Sequence, residues 1–370
     1  MLMRADPTPV RRVLMTADCV GGVWSYAMDL AGGLQSHGIH VTIALMGPRP
    51  TSDQRGEARR RAIDVVEGPY RLEWMPDPWR DVARAGEWLM SLADRCEPDI
   101  VHLNGFCHAR LPWRVPVAVV AHSCVRSWWR GVHGCSAPPE WDEYTARVTE
   151  GLKAADVVIA PTRALLEEIQ DEYGEVTRTR VIPNGSSALG GVPEPPAREP
   201  VVFSAGRLWD EAKNIGALCC AASDLSWRTF IAGDVKGPAG AFTASGAVCC
   251  LGRLDAGELA KWYRRAGIYA LPARYEPFGL SVVEAAAAGC ALVLGDIRTL
   301  REVWSGAAVF VPPDNRRALV RSIEGLIHDD QQRGALAALA RERAARFTVP
   351  AMTGGYIDTY NDLLVPAAAA

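Results

Sequence analysis

Arg12-Val-Leu-Met-Thr-Ala-Asp-Cys-Val-Gly-Gly-Val-Trp-Ser-Tyr-Ala-Met-Asp-Leu-Ala-Gly-Gly-Leu34 opens as an apolar run, breaks at Gly21 and Gly22, and resumes with apolar residues at helical spacing. Strand, glycine turn and helix follow, because a strand buried on both faces reads as a continuous apolar run and a helix repeats every ~3.6 residues. Moving outward, apolar runs at 41–46, 99–103, 117–121 and 157–160 alternate with helical stretches. Strands that alternate with helices predict a parallel sheet covered on both faces. The exception is 123–141, rich in Trp, Gly and Pro without a period, which reads as a long loop or broken helix.

Residues 184–200 carry Gly185, Gly190, Gly191, Pro193, Pro195, Pro196 and Pro200, a linker composition that places a domain boundary there. The alternation restarts at 201–205 and continues through 228–232, 248–251, 268–272, 291–294 and 308–311, a second doubly wound unit. Pro350 interrupts the last helical pattern, and the amphipathic stretch 351–364 is long enough to cross a domain interface. The expected organisation is therefore an N-terminal Rossmann-like domain over 1–190 joined by a C-terminal helix at 351–366, with a second Rossmann-like domain over 198–350.

Bulk properties narrow the function classes. A chain of 370 residues with 49% hydrophobic and 22% charged content suits two globular domains. Forty basic against 43 acidic residues, a net charge of -3, creates no field that would recruit nucleic acid, so no nucleic-acid partner is expected. Ten cysteines, with adjacent pairs at Cys219-Cys220 and Cys249-Cys250, suit free buried thiols in a reducing compartment better than a disulfide framework. No secretory h-region and no apolar run of about 18 residues stands in the sequence. The expectation is a cytoplasmic protein with at most peripheral membrane contact.

Two segments carry chemistry. The first, Arg274-Tyr-Glu-Pro-Phe-Gly-Leu-Ser-Val-Val-Glu284, follows an apolar run and leads into an Ala-rich helix. Gly279 lets a backbone approach a ligand closely, and the amides at the helix start favour a phosphate, with Glu276 and Glu284 placed for hydroxyls on either side. Ser281 and Glu284 also have the spacing of a capping box, which would account for Glu284 without a ligand. The second segment, Ser204-Ala-Gly-Arg-Leu-Trp-Asp-Glu-Ala-Lys-Asn214, puts Arg207 and Lys213 on a glycine-bearing turn at a strand's end. There the planar fork of an Arg and the point charge of a Lys suit a diphosphate.

The order of Gly21-Gly22, His122 after a strand, Val181-Ile-Pro-Asn-Gly185, Gly206-Arg-Leu with Lys213-Asn214, then Glu276 and Glu284 resembles the GT-B retaining glycosyltransferases of family 4 over nearly the whole chain. The resemblance implies two Rossmann-like domains facing across a cleft, with the C-terminal helix crossing back to the first. It implies that Arg207 and Lys213 contact the diphosphate of a nucleotide-sugar donor, Glu284 the ribose and Glu276 the transferred sugar. Gly206, Phe278, Gly279 and Leu280 would line the donor site. Gly21 and Gly22 would lie near the donor phosphate and the acceptor, with His122 near the sugar's C6 hydroxyl. Pro277 stands where the family often has Gly or Ser. The implied reaction moves a hexosyl unit from a nucleoside-diphosphate sugar to a sugar or other hydroxyl acceptor, in polysaccharide or glycoconjugate synthesis. No cofactor and no metal are implied, since Arg, Lys and amide dipoles can neutralise the departing diphosphate. Trp128 and Trp129, whose faces suit sugar rings, are the candidate acceptor-side residues. A catalytically silent sugar-nucleotide binder and a GT-B sugar-nucleotide epimerase remain open beside the transferase.

Overall fold

The opening stretch forms strand β1, Arg12–Asp18, buried at every position after Arg12, and helix α1, Gly22–Ser36. The computed structural model describes residues 9–187, 198–237, 240–243 and 247–365. The boundary residues between the two expected domains lie outside them, and so does most of the linker.

The chain divides into two compact units, the first holding Met1–Ser127, Ser136–Gly185 and Val349–Ala370. In it β1 is joined by β2 (His40–Met46), β3 (Asp64–Glu67), β4 (Ile100–Leu103), β5 (Val117–Val120), β6 (Val157–Ala160) and β7 (Thr179–Val181). All pair parallel, in the order β3-β2-β1-β4-β5-β6-β7 among the described residues. Helices α2 (Ser52–Arg60), α3 (Trp79–Cys96), α5 (Asp142–Ala154) and α6 (Arg163–Tyr173) belong to this unit, and α4 (Val125–His133) starts in it but groups with the second unit from Trp128 on. The stretch 123–141 is thus a broken helix: α4, then a single 3-10 turn at Pro139–Trp141.

The second unit holds Trp128–Cys135 and Ser186–Thr348. Its strands are β8 (Glu199–Ala205), β9 (Arg228–Ala232), the small hairpin β10 (Lys236–Gly237) with β11 (Gly240–Ala241), β12 (Val248–Cys250), β13 (Ala266–Leu271), β14 (Ala291–Gly295) and β15 (Val309–Val311). Apart from the hairpin they make one parallel sheet in the order β12-β9-β8-β13-β14-β15. The helices of this unit are α7 (Ile215–Ala221), α8 (Ala256–Arg265), α9 (Leu280–Ala287), α10 (Arg298–Trp304), α11 (Arg316–His328) and α12 (Asp330–Ala344).

Both sheets have the doubly wound order in which the chain starts in the middle and turns outward twice. In the first unit the order reverses between β1 and β4, in the second between β8 and β13. Loops leaving the two strands at such a point run to opposite faces, which opens a crevice beyond the strands' carboxyl ends where ligands bind in this architecture.

The last helix, α13 (Val349–Leu364), belongs to the first unit, with Pro350 in its first turn, where a missing N–H costs nothing. It buries Met352, Tyr356 and Tyr360 among residues of β1, α1 and β2. The helices approach closely because Gly33 has no side chain: a Cβ there would lie 2.1 Å from the Thr353 hydroxyl. All ten cysteines are free, but only Cys124, Cys219 and Cys290 are buried, so the expectation of buried thiols holds for three of them.

Candidate active site

In the second unit the two sequence segments meet at the β8/β13 crevice. After β8 the chain passes through Gly206 and Arg207 to a 3-10 turn at Glu211–Lys213 and then α7. The amides of Arg274 and Tyr275 both donate to the Ala212 carbonyl, at 2.9 and 3.3 Å, so the loop after β13 rests on that turn. Asn214 adds a brace: its Nδ2 donates to the carbonyls of Pro272 and Pro313, each at 2.8 Å.

Each cation of the crevice is held by a carboxylate. Arg207 donates from Nη2 at 2.6 Å and Nε at 3.2 Å to one oxygen of Asp210, and its guanidinium lies over the Trp209 ring, 5.5 Å from the centroid. The other Asp210 oxygen accepts from the Ala212 amide at 3.0 Å and from the Trp128 indole at 3.2 Å. Burial pushes the Asp210 carboxyl up, but the charges of Arg207 and Lys213 and the hydrogen bonds outweigh it and hold it below the ordinary range. Lys213 Nζ donates to Glu276 at 2.5 Å, both side chains being largely buried. The Glu276 carbonyl accepts from the Thr299 hydroxyl at 2.6 Å, which fixes the backbone under the carboxylate.

Gly279 caps α9 in the left-handed conformation, φ 86°, and a Cβ there would meet Val282 at 3.0 Å and Glu276 Cγ at 3.4 Å. Phe278 before it is buried and Leu280 begins the helix. The capping box weighed from sequence does not form. Ser281 already stands inside α9, and its hydroxyl lies 2.9 Å from that of Tyr269, which donates to the Ala205 carbonyl at 3.1 Å. Glu284 therefore sits in the second turn of α9 with no capping duty. Burial first and the Glu284 charge second push the Tyr263 hydroxyl up.

Two tryptophans of the 123–141 stretch lie beside the Arg207–Asp210 pair. Residues 128–135 belong to the second unit, where Trp128 packs edge-on to Trp129 at 5.8 Å and spends its N–H on Asp210. Arg126 pairs with Glu172 at 2.8 Å. Trp128 thus braces the carboxylate that holds Arg207.

In the first unit Gly21 caps α1 with φ 96°, and the Asp18 carboxylate accepts from the Val20 amide at 2.7 Å, closing the turn after β1. His122, just past β5, donates or accepts at Nε2 with Asn104 Oδ1 at 2.8 Å and meets the Tyr26 ring edge-on at 4.5 Å. Withdrawal from water, then the neighbouring His102, keeps its pKa well below the ordinary histidine value. Beyond the β1/β4 ends opens a recess lined by Thr16, Asp18, Arg71, Glu73, Trp74 and Asn104 among others.

Residues 20–187 match the family described as Glycosyltransferase Family 4, and 191–343 match the Glycosyl transferases group 1 family. The chain is a family 4 glycosyltransferase. A D-inositol 3-phosphate glycosyltransferase of Xylanimonas cellulosilytica is 26% identical over 92% of this chain and 91% of that protein. A phosphatidyl-myo-inositol mannosyltransferase of Mycolicibacterium smegmatis is 36% identical over 26% of each. Among solved structures, sucrose-phosphate synthase from Thermosynechococcus elongatus has a TM-score of 0.80 at 19% identity, covering 96% of this glycosyltransferase and 100% of that chain. Anabaena HepE in complex with UDP has a TM-score of 0.73 at 17% identity, over 95% of this chain and 100% of that one. This glycosyltransferase therefore has the GT-B fold. The silent binder and the epimerase find no support.

Sequence reasoning passed over Asp210, Thr299 and Asn104, and gave Asn214 a place in the motif but no role. Asp210 was accessible through its i,i+3 spacing from Arg207. The others brace loops distant in sequence and left no local signal. No helix among the described residues is long and apolar enough to cross a membrane.

Proposed function

We propose that the enzyme transfers a hexosyl unit to a sugar or other small hydroxyl acceptor with retention of anomeric configuration and without a metal ion. The observation that carries this reading is the convergence of Arg207, Lys213 and the α9 N-terminus on one crevice, with each cation held by its own carboxylate. As the bond from C1 to the diphosphate oxygen breaks, negative charge grows on the leaving oxygen, and preoriented cations stabilise it without reorganisation. Glu276, beside Lys213, takes the hydroxyls of the sugar, and Glu284 those of the ribose. The acceptor oxygen bonds to C1 on the face the diphosphate leaves, and its proton passes to a diphosphate oxygen, so no protein nucleophile is required. The first-unit recess, with Trp74, Arg71 and Asp18 on its wall, is the acceptor seat.

The test is transfer from UDP-glucose to a panel of sugars and cyclitols in the presence of a chelator, with the product's anomeric coupling read by proton NMR. An α-linked product formed at an undiminished rate is expected. A β-linked product, or loss of turnover in chelator restored by a divalent cation, overturns the mechanism.

A further inference from the structure

The imidazole of His122 is one end of a hydrogen-bonded chain that the sequence does not reveal. Asn104 leaves β4 with its amide N–H on the Thr16 hydroxyl at 2.9 Å and its side-chain Nδ2 on the Thr16 carbonyl at 2.6 Å. A carbonyl only accepts, so the Asn104 amide has one permitted orientation, with NH2 toward Thr16 and Oδ1 toward the histidines. That oxygen lies 2.8 Å from His122 Nε2 and 3.1 Å from His102 Nε2. An amide oxygen cannot donate, so both Nε2 atoms carry hydrogen. The other nitrogen of His102, Nδ1, then bears a lone pair, and the Tyr360 hydroxyl on α13 meets it at 2.6 Å and donates to it. Every member from Tyr360 to Thr16 has a partner, and the Tyr26 hydroxyl, 3.3 Å from the same His102 Nε2, shares its hydrogen with the closer Asn104 oxygen.

We propose that Asn104, backed by His102 and Tyr360, is a positioning residue that holds His122 as the neutral Nε2–H tautomer and presents Nδ1 as a hydrogen-bond acceptor for a substrate hydroxyl. The inference rests on the proposed transferase function and on the position near the transferred sugar's C6 hydroxyl that the family resemblance implies for His122. It assigns to the last helix of the chain a part in the site beyond covering the core. His102 is wholly buried, and burial pulls its pKa down to about 4 despite the Asn104 bond, so it remains the neutral link that the chain requires.

The tautomer is read directly in the intact enzyme labelled with 15N-histidine. At neutral pH, Nε2 of both His122 and His102 is expected to resonate as a protonated pyrrole-type nitrogen and Nδ1 of both as a pyridine-type nitrogen; the reverse pattern at His122, or an imidazolium there, overturns the proposal whatever the variants do. Kinetics supply the second arm, with UDP-glucose as probe donor and UDP as probe ligand. Asn104→Ala is expected to lower kcat about tenfold while UDP affinity stays within a factor of about two, because the amide touches the substrate only through His122. In a His122→Ala background the same change is expected to cost nothing further. Additive losses in the double variant overturn the positioning role. Wild-type enzyme that transfers nothing from any donor defeats the functional reading instead, and the nitrogen spectrum still decides the tautomer.

Discussion

At the residue scale the crevice of the second unit is a set of competing charges. Glu276 is the partner of the transferred sugar in the proposed reaction and the ion-pair partner of Lys213 in the structure. A diphosphate that draws on Lys213 must share it with that carboxylate, and the carboxylate repels the phosphate oxygens. Glu276→Gln is therefore expected to bind UDP at least as tightly as wild type while transfer falls by roughly ten- to a hundredfold, the worth of one charge-assisted hydrogen bond of about 1.5 to 3 kcal/mol. Calorimetry with UDP beside a transfer assay separates the two, and weaker UDP binding refutes the shared-lysine account. A second prediction concerns His102. Its folded pKa, about 4, lies below the unfolded value of roughly 6.5, so the unfolded chain takes up the proton first. The stability this neutral group supports is whole above about pH 6.5 and is lost as pH falls toward 4. Melting curves of His102→Gln should fall less steeply than wild type across that window; parallel slopes would show that His102 titrates normally.

At the scale of elements, the start of α9 shapes the proposed donor site. Gly279 takes φ 86°, which costs an L-residue about 1 to 2 kcal/mol, and the added methyl would crowd Val282 and Glu276 as well. Gly279→Ala should lower the melting temperature measurably and weaken UDP binding more than stability alone explains, because the turn carries Glu276 on one side and the first amides of α9 on the other. Unchanged UDP affinity in a folded variant would mean that the α9 amides play no part in binding. The E-x7-E pattern was legible here, but which bland role its residues have was not. The Ser281–Glu284 spacing reads as a capping box until Tyr269 is seen holding Ser281. Similarly, 123–141 read as irregular because α4 is short and half-buried, so that no long apolar period forms.

At the scale of the whole molecule, two sheets of the same strand order each present their switch point with the polar loops at its rim. The strands of the second sheet match the apolar runs of the sequence to within a few residues: β13 and β14 are buried throughout and read as continuous runs, and the edge strands β12 and β15, though only partly buried, keep apolar residues. Strands β3 and β7 escaped the reading for the opposite reason: they are short edge strands, half exposed, whose residues need not be apolar. The C-terminal helix, recognised as an amphipathic stretch, belongs to the first unit, where its tyrosines fill the space against α1.

By itself the sequence determined the doubly wound class and the transferase family and singled out Arg207, Lys213, Glu276 and Glu284 as candidates, because alternating burial and the chemistry of diphosphate recognition act on local patterns of residue type. Tertiary structure alone decided the partners. Asp210 under Arg207, Trp128 under Asp210, and the line from Tyr360 through His102 to Asn104 and His122 join residues up to 258 positions apart. A buried donor must find an acceptor wherever the fold brings one, and a linear sequence does not record that distance.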